Sequence, residues 1–348
     1  MRCIEVGRRG RRARVVARGS QHPLPVSPMQ MLRSGLLGRR SKLVAAGVMS
    51  SLMRGSDKKA DGLSLNGWFE RRRVPADLRS MIEMYVRLTT YCDLPEQMAA
   101  TAAISQFALA QQGVVYLHGG WQSIVDPLRT TVERSGGVVH ERDGVESVEH
   151  SDGSWIVRSA DGKSLAARSV VLACGGPATA SRLIDRDPGW TEQAGPAARV
   201  ACLHVGVESA PPIALLLSMD SPVYGSSHAP PARLAPAGQG LIGAMRYLRP
   251  GEPHHRHETE AELVRHVTAM GVDGIIFDRY LHDMTASYGT PLVDRARPRG
   301  DELASSGCWA VGDWIDRSGD GEPVPLLADA TLASAVAAAG DVQRFLTA

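Results

Sequence analysis

A chain of 348 residues can bury a sizeable core and divides most naturally into two structural domains, since single cores seldom grow past roughly 250–300 residues. Apolar residues make up 43% and charged residues 22%, which excludes a disordered or coiled-coil chain. A net charge of +2 excludes bulk attraction to nucleic acid or acidic lipid, and no apolar run approaches the roughly 18 residues of a membrane-spanning helix.

Residues 1–18 hold seven arginines against one glutamate. No aromatic residues are interleaved for base stacking, so residues 1–23 read as a basic tail or remnant, with nucleic-acid binding and targeting as alternatives. From residue 24 to 112 the pattern is helical. Leu43, Val44, Gly47, Val48, Ser51 and Leu52 recur near helical spacing, Asp77 opens a capped helix through Leu78, Met81, Ile82 and Leu88, and a further helix spans residues 95–111. Seven methionines (Met29, Met31, Met49, Met53, Met81, Met84, Met98) read as core, with an adaptable pocket for an oily substrate as the alternative. Residues 43–53 could instead touch a membrane surface, although only Lys42 and Arg54 flank them closely.

Alternating α and β pattern begins at residue 114. Val114 to Leu117 reads as a strand, His118-Gly119-Gly120 as a turn, and residues 121–135 as a helix with Ile124, Val125, Leu128 and Val132 on one side. Val138-Val139 opens another strand, and residues 154–162 form a hairpin arm with its turn. A buried strand at 169–173 ends in Gly175-Gly176, which suits close approach of a ligand or simply ends the strand. Residues 197–250 are mostly sheet, with His204 expected to be a core histidine. Pro253-His254-His255-Arg256-His257 lacks ligand spacing and reads as solvated surface, not a metal site. The five cysteines are scattered without metal or disulfide spacing, as expected of free thiols in a reducing, cytoplasmic setting.

Toward the C-terminus, Trp309-Ala310-Val311-Gly312-Asp313 is an apolar run stopping at Gly-Asp, followed by a helix of very small residues from Leu327. A strand ending this way suits a dinucleotide. Gly312 allows close backbone approach, Asp313 can accept from sugar hydroxyls, and helix N-terminal amides can meet phosphate. A turn cap is the alternative role for Asp313.

Taken in order, three blocks resemble the FAD-dependent oxidoreductases of the flavin amine oxidase and phytoene desaturase superfamily, which carry NAD(P)/FAD-type nucleotide domains. They are Tyr116-Leu117-His118-Gly119-Gly120-Trp121, residues 144–173, and Ala310-Val311-Gly312-Asp313 with Leu327-Ala328-Asp329-Ala330. The resemblance covers residue 24 onward. It implies an α/β, two-domain FAD-binding fold of the Rossmann-like, glutathione-reductase type. The FAD-binding domain, incomplete, would take residues 110–190 and 298–348, and a mixed-sheet and helical substrate domain residues 24–109 and 191–297. It also implies cofactor contacts at Gly312, Asp313, Val145, Ala173, Gly175, Ala330 and Ser334. On the presumed substrate sheet, Tyr224, Arg246, Tyr247 and Tyr280 are the substrate candidates, with His228, Arg279 and His282 nearby. No catalytic dyad is recognisable.

One departure stands out. Family members open with a strand, a G-x-G-x-x-G turn, a helix and an acidic residue, and no such unit precedes residue 60. The chain therefore reads as starting after that element, with Arg11 or Arg12 a displaced phosphate contact. Loss of several charge-assisted hydrogen bonds, roughly 1.5–3 kcal/mol each, predicts weak FAD binding, and loss of a strand predicts an exposed sheet edge prone to association into oligomers. Two functions follow: hydride removal from a small or lipophilic organic substrate, as in amine oxidases and desaturases, or a non-redox scaffold acting as an interaction partner or cofactor-free isomerase.

Overall fold

Ala13, Val15 and Ala17 alternate with Arg14 and Val16, and their side chains are buried. Period-two burial is the mark of a strand, so the basic tail expected over residues 1–23 is corrected: residues 13–23 belong to a sheet. The computed structural model describes residues 3–5, 12–25, 27–318 and 326–347. The phosphate contact expected of Arg11 lies outside them. The guanidinium of Arg12 donates to the carbonyls of Pro211 and Pro212, the latter at 3.1 Å.

In chain order the strands are β1 (Cys3–Glu5), β2 (Ala13–Ala17), β3 (Ser20–Pro23), β4 (Val115–Leu117), β5 (Val145–Ser151), β6 (Ser154–Ser159), β7 (Ser164–Ala167), β8 (Val170–Leu172), β9 (Ala198–Val207), β10 (Leu215–Ser218), β11 (Val223–Ala229), β12 (Gly240–Leu248), β13 (Ile275–Ser287) and β14 (Cys308–Ala310). The helices are α1 (Pro28–Arg33), α2 (Arg39–Arg54), α3 (Leu65–Arg71), α4 (Ala76–Thr90), α5 (Ala100–Ala110), α6 (Gln122–Arg134), α7 (Pro177–Leu183), α8 (Trp190–Ala194), α9 (Arg256–Thr268) and α10 (Leu327–Thr347). They form two units, Met1–Gly137 with Ala198–Ala286, and Val138–Ala197 with Ser287–Ala348.

The unit boundaries differ from the sequence expectation, for local reasons. Residues 110–137 join the first unit because β4 pairs with β1, Tyr116 reaches Ser226 at 3.1 Å, and the Arg233 amide donates to His118 Nδ1 at 3.0 Å. Residues 191–197 and 287–297 join the second, where Arg295 donates to the Glu192 carbonyl at 3.0 Å.

The first unit is built on a seven-stranded sheet in the order β13-β9-β12-β11-β10-β2-β3, with β2 and β10 parallel. On one face Ala201, Leu203, Val205, Ile242, Ala244 and Leu216 pack under Leu263, Val267 and Met270, which come from or just follow α9. On the other, Ala13, Val15, Ala17 and Leu217 meet the core of α2 to α5, which includes Val48, Leu52, Trp68, Phe69, Leu78, Ile82, Ile104 and Phe107. Met31, Met81, Met84 and Met98 serve this core, whereas Met29, Met53 and Leu43 are exposed. The β2–β3 turn is held by Asp220, whose carboxylate accepts the Arg18 and Gly19 amides at 2.8 Å each.

The second unit contains the meander β5-β6-β7 and the parallel pair β8–β14, in which Val170 lies opposite Cys308 and Leu172 opposite Ala310. Leu172, Cys308 and Ala310 join a core with Val148, Trp155, Ala180, Leu183, Trp190 and Trp314. Trp309 and Val311 point the other way, under Ala338, Val342 and Phe345 of α10. Val171 is also exposed, at 42%, and Leu332 and Val336 of α10 are 62% and 74% exposed. Among the described residues β8 is paired on one edge only. The strand expected at Val138-Val139 does not form: these residues are exposed and no described strand pairs with them, and without a ladder partner an extended segment has no reason to be a strand.

Asp220→Ala is expected to lower stability by about 1–2 kcal/mol, since two bonds to a carboxylate are lost at an exposed turn. Thermal unfolding and the rate of tryptic cleavage at Arg14 and Arg18 measure it, and unchanged rates would mean that the β2–β3 turn is not anchored this way.

Candidate functional site

The strand β14 is buried along its whole length and ends in a turn that its neighbours hold from four sides. Gly312 has φ +154°, and a Cβ there would come within 2.7 Å of Trp314 Nε1. That indole donates to the Gly175 carbonyl at 2.8 Å, so the Gly-Asp turn is tied to the glycine pair that follows β8. The Gly312 amide donates to Ser334 Oγ at 3.1 Å. Asp313 Oδ2 accepts the Tyr288 amide at 3.0 Å, and the Asp313 carbonyl accepts Arg297 Nη1 at 2.9 Å.

Two further features make this clasp specific. Gly289 is packed so closely that a Cβ would stand 2.5 Å from the Asp313 carbonyl oxygen and 2.6 Å from Trp314 Cα. Arg297 is only 4% exposed; burial lowers its pKa, while the carboxylates of Asp316 and Asp313 work against that shift. The result is a half-buried carboxylate at the C-terminal end of two adjacent parallel strands, the position where open α/β sheets receive ligands. Ala173 and Gly175 (φ +91°) are exposed beside it.

Residues 8–272 match the family profile described as flavin containing amine oxidoreductase. The chain belongs to this family. Solved structures similar in fold include an oxidoreductase from Methanosarcina mazei, with TM-score 0.68, 17% identity and coverage of 97% of this chain and 81% of that one. Cyclohexylamine oxidase from Brevibacterium oxydans IH-35A follows, with TM-score 0.67, 14% identity and coverage of 99% and 83%. Putrescine oxidase with bound putrescine has TM-score 0.66, 12% identity and coverage of 99% and 82%. A comparison with curated protein sequences returns no match. The protein is thus an FAD-dependent oxidoreductase of the amine oxidase type, and nothing favours the scaffold alternative.

The residues around Asp313 fit the sugar side of FAD. One carboxylate oxygen is oriented by the Tyr288 amide, and a carboxylate retains acceptor capacity for hydroxyls beyond one such bond. The phosphate side is different. A string with G-x-G-x-x-G spacing, Gly238 to Gly243, runs into strand β12 and not into a helix, so it offers no helix N-terminus to an anion.

The expected site residues separate into groups. Gly312, Asp313, Ala173 and Gly175 come together at the ends of β8 and β14. Val145 begins β5, exposed at the outer edge of the meander. Ala330 and Ser334, expected to face the cofactor, are instead buried: Ser334 is 1% exposed and its hydroxyl bonds the Gly312 amide, because α10 presents that side to the Gly-Asp turn. Tyr288, Gly289 and Arg297 were missed by sequence reasoning, and the one available signal was a Tyr-Gly pair closing β13.

The substrate candidates divide by strand parity. Tyr224 lies opposite Met245 and Leu217, so Tyr224, Met245 and Tyr247 share the face turned away from α9. Arg246 lies on the α9 face, ion-paired with Glu262, and Tyr280 packs against the core on that face, its ring 5.0 Å from the Arg256 guanidinium and its hydroxyl 2.8 Å from His282 Nδ1. Arg246 and Tyr280 are therefore corrected: they do not join Tyr224 and Tyr247. His204, expected in the core, is exposed. Among the described residues no cluster suited to a metal ion occurs.

Gly289→Ala is expected to cost about 2–4 kcal/mol, because backbone atoms cannot yield to the new Cβ. Thermal denaturation checks it; a shift within error would show that the turn is not clasped as described.

Proposed function

We propose that this protein oxidises a small or lipophilic organic substrate by hydride transfer to FAD, with Gly312, Asp313, Ala173, Gly175 and Val145 on the cofactor side and Tyr224 and Tyr247 on the substrate side. The observation that carries the reading is the half-buried Asp313 carboxylate at the C-terminal ends of β8 and β14, oriented by the Tyr288 amide. Bound FAD would supply the hydride acceptor. The chain's own work is then to hold and orient. Asp313 would accept from ribityl or ribose hydroxyls, Gly312 and Gly175 would let the cofactor approach the main chain, and the exposed start of β5 at Val145 would offer backbone groups to the adenosine half. Amine substrates are favoured over unactivated C–C units by the family match and by the cyclohexylamine and putrescine oxidases that share the fold.

Full-length protein titrated with FAD should acquire flavin absorbance that bleaches anaerobically with cyclohexylamine or putrescine. Asp313→Ala should weaken FAD binding by about tenfold, the loss of one or two hydrogen bonds to a charged acceptor. Equal FAD affinity in Asp313→Ala and the native chain would remove Asp313 from the cofactor site.

A further inference from the structure

Helix α6 is amphipathic, and none of its residues is buried. Trp121 at its N-cap and Val125, Leu128 and Val132 within it recur at spacings of four, three and four residues, so they form one stripe along the helix. All four are exposed, Trp121 at 70% and Leu128 at 59%. The helix is rooted at its start, where the Gly119 amide donates to the Arg233 carbonyl at 3.3 Å and Ser123 Oγ donates to the Gly120 carbonyl at 2.7 Å. Along its length no described helix or strand of its unit packs extensively against it. An apolar stripe of this kind is the part of a helix that ordinarily meets another element.

The charges beside the stripe indicate which element that is. Gln122, Asp126, Arg129 and Glu133 lie along one flank, all exposed, while Ile124 and Thr131 on the opposite flank carry no charge. Both signs stand together on the charged flank, which does not suit an anionic lipid surface. They do suit a second copy of the same helix. Laid antiparallel about a two-fold axis near Pro127, a second α6 sets Trp121 against Val132 and Val125 against Leu128, and brings the same flank of both helices together. Asp126 then meets Arg129 of the second copy, Gln122 meets Glu133, and the symmetry repeats each pair. A parallel arrangement would instead set the charged flank against the uncharged one. Within one helix Arg129 already holds Glu133 at 2.9 Å and Gln122 donates to Asp126 at 2.5 Å, so the flank is partly ordered before two copies meet.

We infer that α6 is a dimerisation surface whose partner is a second copy of this chain, packed antiparallel through Trp121, Val125, Leu128 and Val132 and held in register by Asp126 and Arg129. Two helices of about 20 Å each bury less than a standard interface, so the dimer is expected to be reversible, with a dissociation constant on the order of 10 μM.

Sedimentation velocity of the full chain tests this and needs neither FAD nor substrate. The native chain should show a dimer that grows with concentration. Asp126→Arg and Arg129→Asp should each weaken dimerisation by about tenfold, because both pairs across the axis become like-charged. An equimolar mixture of these two variants should associate as tightly as the native chain, because in a mixed dimer each pair is again of opposite charge. Leu128→Glu should leave a monomer, whereas Thr130→Lys, on the far side of the helix, should dimerise as the native chain does. A native chain that stays monomeric up to about 0.5 mM would overturn the inference. So would a dimer that Leu128→Glu leaves intact, or a mixture no tighter than its two components, an outcome that also covers variants weakened only by misfolding.

Discussion

The structure depends most on how backbone is held to backbone around Gly312 and Asp313. A carboxylate can recognise sugar hydroxyls only if its own direction is settled beforehand, since otherwise binding must order it at an entropic cost. Here the ordering is already done. The Trp314 indole ties the turn to Gly175, Ser334 takes the Gly312 amide, Tyr288 orients the carboxylate, and Arg297 holds the adjoining carbonyl. Gly289 is the space that lets these groups converge. Arg297 is the costly member of the set, a buried cation retained because its hydrogen bond and the nearby carboxylates of Asp313 and Asp316 offset its desolvation.

A different constraint governs the first unit. Its sheet presents two unlike faces: one dry under α9, and one that is dry at β2 and β10 but turns aromatic and hydroxyl-bearing across β11 and β12. Side chains on a regular strand alternate between faces, so in β12 a residue's parity decides which chemistry it can join. Tyr247 and Arg246 are neighbours in sequence and have unrelated environments.

Much of this was legible in the sequence where the signal is local. The Gly-Asp turn announces itself through an apolar run of four residues, Cys308 to Val311, and a glycine, and the helical region between residues 24 and 112 through its period. What failed was non-local or masked by charge. Arginines between residues 1 and 18 hid the alternation of Ala13, Val15 and Ala17. Val138-Val139 has strand composition, yet composition cannot supply a ladder partner. Ser334, expected to face the cofactor, is instead buried against the Gly-Asp turn, a distinction of one helix face. Arg297 lies 16 residues from Asp313 and Tyr288 lies 25 residues away, a distance across which no pattern in the chain reports contact.

On the reading proposed above, FAD meets this chain at the ends of β8 and β14. Hydrogen–deuterium exchange with and without FAD tests it most directly, because it reports on backbone amides and needs neither turnover nor a known substrate. Exchange is expected to slow at the amides of Gly175, Tyr288, Gly289, Gly312 and Asp313 when FAD is added. Protection confined to other segments, with these amides unchanged, would contradict it.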